Sequence, residues 1–145
     1  MKSMANVHLN GISSRVTILN KAVGAQDGSG SLVVGNTSAI NSVSISDNAG
    51  SSVEIISMES LLDLVGARVN LMKIDCEGAE YAFFDSAPEY AFHCIDCIVA
   101  EAHSLGSERH SRLMNQLAEF GFHVRERDKG RQLGTFIAQP KMSAL

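Results

Sequence analysis

The stretch Asn70–Phe84, NLMKIDCEGAEYAFF, decides the fold. Leu71, Met72 and Ile74 make its first half read as a buried strand, and Gly78 to Ala87 then reads as a helix that Pro88 stops. Between them Asp75, Glu77 and Glu80 crowd the point where the strand ends. Working outward, CIDCIVAEAH (94–103) is a second apolar strand. On the near side Ser57 can cap a helix whose apolar face is Leu61, Leu62 and Val65, with Gly66 as its left-handed exit. On the far side Ser107 caps a helix that Gly121 ends, with His110, Leu113, Met114, Leu117 and Ala118 on one stripe. Continuous apolar strands alternating with amphipathic helices predict an α/β fold with a mostly parallel sheet and helices on both faces.

The flanks add smaller elements. Met4 and Val7 lie at helical spacing before Asn10-Gly11, a good stop. RVTILNKAV (15–23) carries β-branched residues for a strand, and SLVV (31–34), SVSIS (42–46) and SVEIIS (52–57) look like a small hairpin array between glycines. HVRERD (123–128) and QLGTFIAQ (132–139) predict an antiparallel pair around Lys129-Gly130. With no repeat and no linker, residues 1–145 read as a single domain.

Charge and composition narrow the partners. Twelve basic and 16 acidic side chains give a net charge of −4 and no basic stripe for a phosphate backbone, so nucleic acid is not expected. Cys76, Cys94 and Cys97 match no disulfide framework, which points to a reducing, cytoplasmic setting. No apolar run approaches the roughly 20 residues a membrane span needs, and MKSMANVHLNG lacks the apolar centre of a signal peptide. The expectation is a soluble protein without a membrane partner.

Ligands of such sheets sit beyond the carboxyl ends of the strands. If Asn70–Asp75 and Cys94–His103 are parallel neighbours, Asp75, Glu77, Glu101 and His103 converge on one edge. Residues two apart on a strand share a face, which pairs Glu101 with His103 and Lys73 with Asp75. Each has a plainer role as well. Asp75 or Glu77 can cap the following helix, Glu80 can be ordinary first-turn surface chemistry, His103 can sit in a surface loop, and Lys73 can neutralise Asp75 or reach solvent. Cys94 and Cys97, three apart on a strand, face opposite ways and fit the core better than zinc. The carboxylates and the imidazole suit a hard cation better, which keeps a metal-assisted hydrolase using Asp75, Glu77, Glu101 and His103 as an alternative.

SLLDLVGARVNLMKIDCEGAEYAFFDSA (60–87), with IVAEAH (98–103) after it and LNGISSRVTILNKAVGAQDG (9–28) before it, resembles the FkbM family of S-adenosylmethionine-dependent methyltransferases. The most specific element is KIDCEGAE (73–80), which is similar to that family's Lys-Ile-Asp-x-Glu-Gly-x-Glu signature. The resemblance implies a class I, Rossmann-like methyltransferase fold, S-adenosylmethionine as cofactor, and methyl transfer to a hydroxyl of a carbohydrate or natural product. Carried onto this sequence, it implies Asp75 at the junction of cofactor and acceptor and His103 as base. Glu101 would orient His103, Glu77 and Glu80 would bind the acceptor, and Asn20 and Ala22 would lie near the adenine. No metal site is assigned.

The sequence also departs from that pattern. The family's opening strand, glycine-rich turn, helix and second strand are not visible, and the one G-x-G, Gly28-Ser29-Gly30, reads as a hairpin turn. The chain resembles a C-terminal portion of the domain, and the strand NLMKID would then present an open edge. Either the family's third strand moves over to pair with it, or another chain fills the gap, giving a homo-oligomer. A non-catalytic interaction or self-association module is the remaining alternative.

Overall fold

The computed structural model describes residues 2–34, 41–44, 51–66, 68–76, 79–103, 107–128 and 133–140. The chain opens with helix α1 (Lys2–Leu9). Gly11 closes it at φ 64°, its amide bonding the His8 carbonyl and the next amide, of Ile12, reaching back to Val7. Two four-stranded sheets follow. The first takes β1 (Lys21–Val23), β2 (Gly28–Val34), β3 (Asn41–Ser44) and β4 (Ser51–Ile56) in the order β1-β4-β2-β3. The second takes β5 (Met72–Ile74), β6 (Ile98–His103), β7 (Phe122–Asp128) and β8 (Leu133–Pro140) in the order β5-β6-β8-β7. Helices α2 (Met58–Val65), α3 (Glu80–Asp85), α4 (Glu89–His93) and α5 (Glu108–Glu119) complete the described elements.

The hairpin array and the C-terminal antiparallel pair form as their patterns predict. So does the central prediction, with β5 and β6 running parallel and Ile74 beside Ala100. The α/β class is borne out, and the sheets are mixed rather than uniformly parallel among the described residues. Each sheet is mixed, because β8 returns antiparallel beside β6 and β1 is the one parallel strand of the first sheet. The strand expected over residues 15–23 is limited to Lys21–Val23, the segment that β4 pairs, and Val16, Ile18 and Leu19 stay exposed. Nor does that strand move over to β5; it joins β4 instead.

Helices cover one face of the second sheet among the described residues. Ile98, Ala100, Ala102, Phe136 and Ala138 are buried, while Ile137, between the last two, is 43% exposed. Such alternation is what a strand with one solvated face produces. Phe84 and Phe92 stack at 6.2 Å and Phe92 and Phe120 at 4.4 Å; Phe84, Phe92, Leu113 and Leu117 belong to the core, and Phe120 packs against it. Burial of such apolar surface is the dominant favourable term in folding.

Local signals set the boundaries. Ser57 Oγ accepts the Ser60 amide at 3.2 Å and Gly66 takes φ 62°, so α2 begins and ends where capping chemistry predicts. The expected start of the next helix, Gly78, lies outside the described residues, and α3 is seen from Glu80. Pro88 both stops α3 and precedes α4, a helix the sequence pattern did not reveal, since a fixed φ also suits a helix entrance. Cys94–Cys97 is not strand. Ile95 makes a single bridge to Val69 and Asp96 pairs with Arg68, so β6 starts at Ile98.

Candidate functional site

The carboxyl ends of β5 and β6 carry Asp75, Glu101 and His103. Register carries Asp75 alongside Glu101, one step beyond the Ile74 and Ala100 pair, and His103 follows two residues later on the same face. Asp75 is exposed, with Oδ2 3.4 Å from Lys73 Nζ, so the lysine balances its charge near the strand tip. Glu101 is half-buried. Glu77, assigned to the acceptor on the family pattern, lies outside the described residues.

Glu80, which the family pattern assigns to the acceptor, meets His103. It is fully buried at the start of α3, and Oε1 accepts both the His103 backbone N–H and the ring Nδ1, each at 3.1 Å. Cys76 Sγ lies 3.8 Å from Oε2. A carboxylate that accepts from Nδ1 fixes the imidazole tautomer with its lone pair on Nε2, and stabilises the ring once that nitrogen gains a proton. The orienting partner the structure gives His103 is therefore Glu80. Glu101 has the same strand parity as His103, and the Nδ1 contact ties the ring to α3 as well.

Behind this pair is a second network. Tyr81 OH donates to the His103 carbonyl and lies 3.4 Å from His110 Nδ1, whose ring meets it edge-on. His110 Nε2 lies 2.5 Å from Glu126 Oε1. Burial, reinforced by the Glu80 and Glu126 carboxylates, pushes the Tyr81 phenol above its ordinary value, which keeps its proton available to His103. The sequence signal for this network was a histidine on an apolar stripe. Its carboxylate partner, in the next element β7, carried none.

The residues expected near the cofactor lie at the start of the first sheet. Ala22 is in β1, paired with Ile55 of the first sheet, and Asn20 is exposed just before it. Gly28 and Gly30 are paired with Ile55 and Val53, so the G-x-G segment is strand rather than a phosphate-binding turn. A concavity of about 660 Å³ opens on the helical side, between α3 and α5, lined by residues that include Asp85, Arg112 and Gln116. Neither Asp75 nor His103 lines it. Among the described residues no three His, Cys, Asp or Glu side chains are grouped to hold a metal ion, and the cysteines form no disulfide. No helix among those residues is long and apolar enough to cross a membrane.

The model of the Methyltransferase FkbM domain matches residues 2–124, from α1 into β7. No curated protein and no solved structure matches the chain.

Proposed function

The chain belongs to the FkbM methyltransferase family, and from that premise we propose that it serves the O-methylation of a hydroxyl on a carbohydrate or natural product. The supporting observation is the Glu80 and His103 pair at the strand end where Asp75 and Glu101 share a face. The family's chemistry depends on S-adenosylmethionine, which when bound supplies the methyl group as an electrophilic carbon on sulfonium.

The chain's own contribution lies on the acceptor side. His103, in the tautomer that Glu80 imposes, receives the hydroxyl proton at Nε2 as the oxygen becomes nucleophilic. Glu80 carries the counter-charge of the resulting imidazolium out of contact with water, where it counts for more. Asp75 and Glu101 accept hydrogen bonds from neighbouring hydroxyls and so orient the acceptor. A reducing, cytoplasmic setting belongs to this reading. The metal-hydrolase alternative finds no donor triad among the described residues.

Calorimetric titration with S-adenosylmethionine, followed by assay of methyl transfer to hydroxyl-bearing acceptors, tests the proposal. Saturable binding that weakens in Asp75→Ala, with turnover lost in His103→Asn, supports it. A folded chain that neither binds S-adenosylmethionine nor transfers a methyl group sinks it.

A further inference from the structure

β5 is an edge strand, and no described strand pairs with its outer side. The Met72 amide donates to the Cys97 carbonyl at 2.9 Å, so Met72 and Ile74 turn their backbone groups toward β6. Alternation then turns the N–H and C=O of Leu71, Lys73 and Asp75 outward. The Lys73 and Asp75 side chains are exposed and stand on one face, 3.4 Å apart at their charged atoms.

Two copies of this edge can exchange backbone hydrogen bonds only in registers that set outward-turned residues opposite each other. The strand and its tip offer four antiparallel centres, of which Met72 sets Lys73 against Leu71 and gives it no charged partner. Centring on Lys73 sets lysine against lysine, and centring on Asp75 sets aspartate against aspartate. Centring on Ile74 sets Lys73 of each copy against Asp75 of the other, twice. Like charges directly opposite destabilise a strand pair and opposite charges support it, so charge selects the last register. We propose that the chain self-associates through β5 in this antiparallel register, joining two sheets across a two-fold axis at Ile74. The four charges then alternate in sign around the axis, and the pairing closes at two copies.

The other edge of the same sheet shows that this complementarity is not generic. On β7 a register centred on Glu126 brings Arg125 against Arg127, and those centred on Arg125 or Arg127 bring each arginine against itself. Charge guards that edge against self-pairing. The proposal stands independently of methyl transfer.

Sedimentation velocity over a concentration series tests it on the intact chain, with circular dichroism confirming that each variant is folded. The wild type is expected to shift from monomer to dimer with rising concentration. Lys73→Asp and Asp75→Lys should each weaken dimerisation at least tenfold, because each places like charges opposite at the axis. Mixing the two variants restores opposite charges at both positions and should recover the dimer, as should the double swap within one chain. A wild type that stays monomeric throughout overturns the proposal. So do single variants that dimerise like the wild type, or a mixture that fails to recover association.

Discussion

Glu80 shows how one residue type serves two opposite roles depending on what the fold brings over it. A glutamate in the first turn of a helix is ordinarily solvated, where it favours the helix dipole. Here the end of β6 arrives above it, and the carboxylate becomes the acceptor for a backbone amide and an imidazole. Glu80→Ala would orphan that amide in a buried site and is expected to cost about 1–3 kcal/mol in chemical denaturation. Glu80→Gln keeps an acceptor for the amide and should cost less. In the glutamine variant, however, the His103 ring loses its fixed tautomer, which nitrogen chemical shifts would report. Phe84, fully buried between neighbouring rings, sets the scale for pure packing, and Phe84→Ala should cost about 3–5 kcal/mol in the same measurement. Asp75, Glu101 and His103 were legible as companions because strand periodicity is local. The burial of Glu80 was not, since it depends on a strand beginning 18 residues later in the chain.

Among the elements, α2 is the one most fully written in its own sequence. Ser57→Ala should cost about 1 kcal/mol by removing the acceptor for the Ser60 amide. A partner from outside the helix adds to this cap. Asp27, in the turn between β1 and β2, accepts the Ser57 amide at 2.7 Å with Oδ1 and the Ser60 hydroxyl with Oδ2. The hydroxyl first, then the amide, holds its carboxyl below the ordinary aspartate value. The unfolded chain therefore takes up this proton at higher pH than the folded one. The stabilisation is complete above the unfolded value of about 3.9 and is lost as pH falls through the depressed folded value. Asp27→Asn should lower the melting temperature near neutrality and flatten its decline on the acid side, as thermal unfolding across pH would show. Gly24 in the preceding segment has a steric reason to lack a side chain, because a Cβ there would lie 2.7 Å from Ile55 Cγ2.

At the scale of the molecule, the described helices cover one face of the second sheet. Its two faces should respond differently to substitution. Ile137→Thr, on the open face, is expected to change stability by no more than about 0.5 kcal/mol in denaturant unfolding. A polar replacement at its neighbour Phe136, which is buried against the core, should unfold the chain. By itself the sequence determined the positions of most helices and strands, the caps of α2 and α5, the parallel neighbours β5 and β6 and the acidic strand tip, because period and capping act over a few residues. Only the tertiary structure decided that β1 pairs with β4 rather than β5, that β6 is flanked by an antiparallel strand, and that the Glu80 carboxylate meets the His103 ring. Those outcomes depend on which distant segments meet, and local pattern does not encode the energy of such meetings.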